Sequence, residues 1–151
     1  MKQLSSRILT CFVLMAVSSI LLPKSFAIDG EWTKKADMPT PRTWLSTSAV
    51  NGKIYAIGGH SSLVNLSTVE EYDPTTDKWA KKADMPTARS LLSTSAVNGR
   101  IYAMGGLTGD GWLTGAVEEY DPAADKWTKK ADMLTARSGL STFGVDFLAE
   151  D

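Results

Sequence analysis

The stretch ADMPTARSLLSTSAVNGRIYAMGG, residues 83–106, decides the fold of this chain because it recurs twice more with small changes. The form ADMPTPRTWLSTSAVNGKIYAIGG stands 47 residues earlier, at residues 36–59, and ADMLTARSGLST begins 48 residues later, at residues 131–142. A fixed period of this length is typical of an array in which each repeat is one structural unit. The repeat therefore predicts the architecture before any single residue is given a role.

Each repeat contains the sequence signals of four short antiparallel strands. In the first repeat, Thr43–Val50 is followed by Asn51-Gly52 and then by Lys53–Ile57. An Asn-Gly pair between two such segments is the strongest short-range signal of a β-hairpin. Val69–Tyr72 predicts a third strand and Lys78–Lys82 a fourth. One such sheet cannot bury both of its faces alone, so neighbouring sheets must stack.

A glycine pair ends the second strand of each repeat, which predicts a bulge or a close approach of another backbone. The segment after it varies: it is nine residues long at His60–Thr68 and ten at Leu107–Ala116. This one-residue difference accounts for the spacings of 47 and 48. We expect these variable segments to form loops that differ between the repeats.

The glycine pair, followed by a tyrosine and then a tryptophan, resembles the kelch repeat. The matching residues are Gly58, Gly59, Tyr72 and Trp79 in one copy and Gly105, Gly106, Tyr120 and Trp127 in the next. The resemblance covers residues 29–142, and the period is close to the ~50 residues typical of kelch repeats. It implies an all-β fold of four-stranded propeller blades, with the tyrosines and tryptophans packing between strands and blades.

The repeats predict two complete blades, at residues 42–86 and 89–133, with partial repeats at 29–41 and 134–151. We expect a leading fourth strand around Trp32–Lys35 and a trailing first strand around Ser138–Val145. Propellers typically contain four to eight blades, so two blades predict an incomplete propeller. We favour a piece of a longer product. The alternative is a chain that self-associates through its open blade edges.

Residues 1–27 have the pattern of a secretory signal peptide. Lys2 and Arg7 precede the largely apolar run Ile8–Leu22, and Ser25-Phe26-Ala27 provides small residues at a cleavage site before Ile28. The apolar run is shorter than the ~20 residues needed to span a bilayer, which disfavours a retained anchor. We therefore expect a secreted or periplasmic protein with no membrane attachment after cleavage.

The composition of residues 28–151 argues against several classes of function. The signal peptide contains the only cysteine, Cys11, and three of the basic residues, so the remainder has no thiol, 13 basic residues and 17 acidic ones. Disulfide and thiol chemistry are therefore not expected. The lysines occur as isolated pairs rather than as a patch, which argues against nucleic acid and anionic lipid as partners.

No catalytic, metal-binding or cofactor-binding residue is predicted. His60 is the only histidine, and one histidine without cysteine does not make a zinc site. Glu70-Glu71 and Glu118-Glu119 are adjacent carboxylates, but neighbouring residues on a strand point to opposite faces. Neither pair alone can act on one substrate as an acid and a base.

The best candidates for ligand contact lie on loops, where binding residues concentrate. Trp44 and Trp112 are not repeated between the copies, and His60 has a leucine as its counterpart. The alternative role for each tryptophan is to fill a local packing gap. Asn65-Leu66-Ser67 is a glycosylation sequon, which matters only in a eukaryotic secretory pathway.

Arg42, Arg89 and Arg137 occur at the same position of each repeat. In a closed propeller this position would form a ring, so Arg42 and Arg89 are candidates for gripping an anionic ligand. We favour the alternative, a structural salt bridge to a turn aspartate of a neighbouring repeat, because a residue present in every copy serves the architecture.

These features predict an exported, non-catalytic interaction module that binds a protein or a glycan through its blade loops. The alternatives are a fragment of a kelch-propeller enzyme, such as a periplasmic sialic-acid epimerase-like protein, and a non-functional truncated remnant. Kelch-type copper oxidases are not supported, because their resemblance would require several histidines and a cysteine, and residues 28–151 contain one histidine and no cysteine.

Overall fold

The computed structural model describes residues 32–142 and residue 144, and the predicted signal peptide lies outside them. The chain divides into two units, residues 1–33 and 34–151. Of the first unit only Trp32 and Thr33 are described, and both are exposed. No helix in the described part of the chain is long and apolar enough to cross a membrane. All the strands of the described chain lie in the second unit.

Two four-stranded antiparallel sheets make up the two blades. Blade 1 has the strand order β1-β2-β5-β6, and blade 2 has the order β7-β8-β9-β10. The strands of blade 1 are β1 (Ser46–Val50), β2 (Lys53–Ile57), β5 (Val69–Asp73) and β6 (Lys78–Lys81). Those of blade 2 are β7 (Ser93–Val97), β8 (Arg100–Met104), β9 (Val117–Asp121) and β10 (Lys126–Lys129). The predicted all-β blade fold is confirmed.

The Asn-Gly hairpins form where they were predicted. Asn51 and Gly52 have φ angles of 51° and 72°, and Asn98 and Gly99 have 50° and 73°. Both residues of a type I′ turn need a positive φ, which asparagine and glycine tolerate best. In blade 1 the turn brings Val50 opposite Lys53 and so sets the register of the pair β1–β2.

The structure differs from the expected strands in three places. Residues 32–35 and 138–142 form no strand, because no strand in the described part of the chain pairs with them through a backbone ladder. The first variable segment contains a further hairpin, β3 (His60–Ser61) with β4 (Val64–Asn65), which the sequence did not predict. Its tip residues Ser62 and Leu63 have positive φ angles without being glycine or asparagine, so the usual turn signal is missing.

The two blades share one hydrophobic core. Tyr55 and Ile57 of blade 1 are buried in the same cluster as Ile101 and Tyr120 of blade 2. The rings of Tyr55 and Tyr120 meet edge to face, with centroids 5.8 Å apart. Ile101 is fully buried, whereas its counterpart Ile54 is 38 % exposed. Blade 2 is therefore covered on the side where blade 1 is open.

Small hydroxyl residues join the first strands of the two blades. The hydroxyls of Ser46 and Ser48 each lie 2.9 Å from the Thr94 hydroxyl, and the Thr94 amide donates to the Ser46 hydroxyl at 3.0 Å. The Thr142 hydroxyl lies 2.6 Å from that of Ser93 and continues the same ladder into the third repeat. Serine and threonine in the repeated STSAV stretch thus allow the first strands to approach closely.

A segment that we call a strap follows each fourth-strand position: strap 1 is residues 36–45, strap 2 is 83–92 and strap 3 is 131–140. Strap 2 bonds to blade 1 through its backbone, as the Met85 amide donates to the Ser67 carbonyl and the Arg89 amide to the Leu66 carbonyl. The Arg89 carbonyl in turn accepts from the Gly59 amide. Blade 1 is thereby lined by a strap that begins the second repeat.

The start of strap 2 is also clamped by blade 2. The Ala83 amide donates to Asp125 Oδ1 at 2.9 Å, and Trp127 Nε1 donates to the Ala83 carbonyl at 3.0 Å. The Tyr120 hydroxyl donates to the same Asp125 oxygen and so holds the carboxylate in place. Blade 1 has the same clamp, in which Asp77 and Trp79 bind both sides of the Ala36 peptide in strap 1.

We expect Asp125→Ala to weaken the junction between the blades. The fully buried Tyr120 and the Ala83 amide each lose an acceptor, which should lower the free energy of unfolding by about 1–3 kcal/mol. Urea unfolding followed by tryptophan fluorescence measures the change. The control is Asp110→Ala, because Asp110 is exposed on a loop, and this change should stay within about 0.5 kcal/mol.

The same variant tests a dependence on pH. The hydrogen bonds from the Tyr120 hydroxyl and then from the Ala83 amide lower the pKa of Asp125. Stability from a carboxylate with a lowered pKa is present above the unfolded value of about 3.9 and is lost as the pH falls towards the folded value. The gap between wild type and Asp125→Ala should therefore narrow below about pH 4. A constant gap down to pH 2 would contradict this assignment.

Candidate functional site

The guanidinium of Arg89 is buried in blade 2 and faces no surface where a ligand could bind. Its Nη1 donates to the carbonyls of Gly105 at 3.1 Å and Ala116 at 2.8 Å. Its Nη2 donates to the Ala103 carbonyl at 3.1 Å and to Glu118 Oε2 at 2.8 Å. Burial lowers the pKa of Arg89, and the charge of Glu118 opposes that shift. The arginine is a structural group that bonds to three strand-end carbonyls and one carboxylate.

Arg42 repeats this arrangement in blade 1. Its Nη2 donates to Glu70 Oε2 at 2.6 Å, and its side chain is fully buried. The expected ion pair exists in both blades, but the expected acceptor was wrong: it is a strand glutamate of the same blade, rather than a turn aspartate of a neighbouring repeat. Arg137, the equivalent arginine of the third repeat, is exposed and has no side-chain partner within residues 32–142.

The glycine pairs allow the strap to reach this position. Gly58 has a φ of 64°, and a Cβ built there would lie 2.6 Å from the Arg89 carbonyl oxygen. Gly59 has a φ of 103°, and its Cβ would lie 2.8 Å from the Thr43 carbonyl oxygen. Any other residue would push the strap off the blade. The close backbone approach expected from the glycine pairs is what the structure shows.

The adjacent glutamates point to opposite faces and serve different partners. Glu70 pairs with Arg42, whereas Glu71 accepts the Tyr55 hydroxyl at 2.6 Å and pairs with Lys82 at 3.2 Å. Burial first, and then the hydrogen bond to Glu71, raise the pKa of Tyr55. Among the described residues, no three His, Cys, Asp or Glu side chains are grouped as metal ligands would be.

A small hollow lies between the variable loops of the two blades, and we call it the loop pocket. It has a volume of about 200 Å³. Its lining comes from straps 1 and 2, the β3–β4 hairpin and the loop after Gly106: Trp44, His60, Leu63, Asn65, Ser90, Leu107, Thr108, Gly109 and Gly111. The lining contains no aspartate, glutamate, lysine or arginine, so the pocket suits an uncharged group.

The structure brings two of the predicted contact residues together in this pocket. The Trp44 and His60 rings are 5.4 Å apart, and Trp44 is 56 % exposed. Trp44 has a φ of 55°, which is unusual for an aromatic residue. Its counterpart Leu91 has nearly the same φ, 51°, so this conformation belongs to the strap and only the tryptophan ring is particular to the site. The Leu91 amide donates to the Trp44 carbonyl at 2.9 Å.

Trp112 lies on the loop that supplies one wall of the pocket, but it is not itself a lining residue. It is 74 % exposed, and its carbonyl accepts from the Thr108 amide at 3.0 Å. Leu63, Val64 and Leu113 on the same two loops are also more than half exposed. We call these three residues and Trp112 the apolar rim. Sequence reasoning missed the leucines and valine because an apolar residue in a loop gives no signal of whether it is exposed.

Asn65 joins the two walls of the pocket. Its side-chain amide donates to the Leu107 carbonyl at 2.8 Å, and the residue is half buried. The nitrogen that a glycan would occupy at the sequon is therefore engaged in the folded chain. This cross-loop bond was also missed, because the sequence gives no distance between residues 65 and 107.

Comparisons with known proteins agree with this architecture. The family model described as the Kelch motif matches residues 41–86 and 88–134, more than half of the chain. Human Kelch-like protein 30 is 43 % identical over 49 residues, which are 32 % of this chain and 8 % of that protein. The solved structure titled "Structure of YjhT" matches with a TM-score of 0.66 at 19 % identity, over 72 % of this chain and 43 % of that one. The chain thus spans less than half the length of either protein.

The three equivalent arginines provide a test of the buried ion pair. Arg89→Met should lower the free energy of unfolding by about 3–5 kcal/mol, because Glu118 would stay buried without its partner. Arg137→Met is the matched control, because the exposed guanidinium has no side-chain partner among residues 32–142, and its effect should stay within about 0.5 kcal/mol. Guanidinium chloride unfolding compares the two, and equal losses would refute the structural role of Arg89.

Proposed function

The chain belongs to the kelch-repeat family, and from that premise we propose that it is an exported interaction module that binds a protein partner without catalysing a reaction. The loop pocket and the apolar rim form the binding surface in this proposal. The observation that carries it is the exposure of Trp44 beside a pocket that residues of both repeats line and that contains no aspartate, glutamate, lysine or arginine. A rigid blade framework that presents variable loops is a common basis for recognition.

The size and chemistry of the surface favour a protein as the partner. A volume of about 200 Å³ is below the 300–1,000 Å³ of pockets for drug-sized ligands, so it suits one inserted side chain. Exposed tryptophans are frequent among the residues that dominate binding energy in protein interfaces. The apolar rim adds Leu63, Val64 and Leu113 around the pocket. A glycan that stacks a sugar ring on Trp44 is the second candidate.

The absence of catalysis is part of the proposal and rests on how the ionisable residues are used. Glu70 and Glu118 are held by buried arginines, and Glu71 is bonded to a tyrosine and a lysine. These three carboxylates are thus already bonded to other side chains within the blades. The likeness to the solved kelch structure, at 19 % identity, supports the fold alone and does not favour a reaction.

Export is the proposal for residues 1–27. We expect the chain recovered from its own host to begin at Ile28, because Ser25-Phe26-Ala27 precedes that bond with small residues at the cleavage positions. Intact-mass spectrometry and N-terminal sequencing of protein from the cell envelope or the medium provide the measurement. A chain that retains Met1 and stays inside the cell would overturn the proposal of export.

Trp44→Ala should weaken partner binding by at least about 30-fold, as expected for a central interface tryptophan. Trp112→Ala should weaken it less, because Trp112 lies on the rim. The full chain, immobilised, is crosslinked to proteins of the host's exported fraction, the captured protein is purified, and its Kd is measured by calorimetry. Trp32→Ala is the control, since Trp32 is an exposed tryptophan that does not line the pocket.

The wild type and the three variants are then applied to a glycan array. Binding of a sugar that is lost in Trp44→Ala and kept in Trp32→Ala would assign the pocket to a glycan instead of a protein. A captured partner whose Kd is unchanged by both Trp44→Ala and Trp112→Ala would remove the loop pocket from the proposed function.

A further inference from the structure

Blade 2 has an apolar hollow on the face turned away from blade 1. The hollow has a volume of about 370 Å³ and is lined by Ser95, Val97, Tyr102, Met104 and Thr142. The equivalents of its three large side chains in blade 1 are buried against blade 2: Val50 is 6 % exposed, Tyr55 2 % and Ile57 0 %. The covered face of blade 1 therefore shows what occupies such a face, namely another blade of the same sequence type.

Blade 1 has the complementary open face. Ile54 is 38 % exposed there, whereas its equivalent Ile101 is fully buried by blade 1. Ala49 is likewise exposed, and its equivalent Ala96 is half buried against the shared core. The chain thus carries both halves of its own blade–blade interface a second time, each without a partner among the described residues.

We propose that a second copy of this chain packs the open face of its blade 1 onto the open face of blade 2, and so repeats the internal blade–blade contact between chains. The inference does not depend on the function of the loop pocket. The surface that carries it is a sheet face, rather than the strand edges considered from the sequence. A second copy fits because the repeats are nearly identical, so the side chains that meet within one chain recur in the contact between two.

Such a contact joins different surfaces of the two copies, so repetition closes a ring when the rotation allows it. Each copy adds two blades. Rings of two, three or four copies therefore contain four, six or eight blades, within the range of known propellers. A closed ring would leave neither face exposed.

One strap must move to allow this contact. Strap 2 shows that one strap lies between two blades, whereas here strap 3 of the receiving copy and strap 1 of the incoming copy would need the same place. Strap 1 is anchored by the buried guanidinium of Arg42. Strap 3 is held by backbone bonds such as Met133 to Gly115, while Arg137 and Leu134 are exposed.

Strap 3 is therefore the segment that yields to strap 1 of the second copy. Arg42, already seated in its own blade, would then link two copies as Arg89 links the two blades of one chain. This exchange predicts that association depends on concentration. It also predicts that weakening strap 3 strengthens association, which is the reverse of what damage to an ordinary interface would do.

The test is the solution mass of the purified full chain, measured by light scattering on a size-exclusion column over a 100-fold range of concentration. We expect a discrete species of two, three or four chains at the upper end. Ile54→Arg, on the open face of blade 1, should give a monomer with an unchanged circular-dichroism spectrum. Ala124→Arg is the control, because Ala124 is exposed on the outer turn of blade 2, and it should assemble as wild type does.

Leu140→Asp tests the exchange of straps, because the Leu140 side chain lies beside Gly105 and holds the end of strap 3. We expect this variant to assemble at a concentration at least tenfold lower than wild type, and the double variant with Ile54→Arg to be a monomer. Assembly that survives Ile54→Arg would overturn the proposed contact. A wild type and a Leu140→Asp variant that both remain monomeric at every concentration would overturn it as well.

Discussion

The seating of Arg89 in blade 2 is the interaction on which the two-blade structure depends. The backbone of strap 2 belongs to blade 1, where its amides and carbonyls complete the hydrogen bonds of Leu66, Ser67 and Gly59. The Arg89 guanidinium of this strap lies in blade 2, where three carbonyls and Glu118 accept its hydrogen bonds. A buried charge without its partners is costly, so neither blade can leave the strap without a large loss of stability. The strap thereby joins two sheets that also share one hydrophobic core.

The geometry of the loop pocket follows from that coupling. Trp44 lies on strap 1 and His60 on the β3–β4 hairpin, but the opposite wall comes from strap 2 and from the loop of blade 2 after Gly106. The Leu91 amide fixes the Trp44 carbonyl, and the Asn65 amide fixes that of Leu107. Both bonds run between repeats, so the pocket exists only while strap 2 holds the blades together. A change at the Arg89 side chain, which does not line the pocket, would therefore disturb the pocket by displacing strap 2.

The parts of this structure that could be predicted from sequence are those set by local conformation. Asn51-Gly52 and Asn98-Gly99 specify their hairpins because both residues must take a positive φ. The acceptor of Arg89 could not be predicted, since Glu118 lies 29 residues away and the pairing depends on how far the strap crosses the blade. The β3–β4 hairpin was missed because Ser62 and Leu63 adopt turn conformations that their types disfavour. The exposure of Ile54 depends on whether a neighbouring blade covers it, and the sequence of its own strand does not determine this.

The near-identity of the repeats shows which residues belong to the repeated architecture and which are particular to one repeat. Arg42, Arg89 and Arg137 share one sequence context, yet two are buried and one is exposed, because the described residues provide a blade for only two of them. A residue that is present in every repeat therefore belongs to the repeated architecture, even where its side chain is exposed. The positions at which the repeats differ include Trp44, whose counterpart is Leu91, and His60, whose counterpart is Leu107. These two exchanges meet at one pocket, with their rings 5.4 Å apart. Both differences between the repeats therefore lie at the pocket on which the proposed binding function rests.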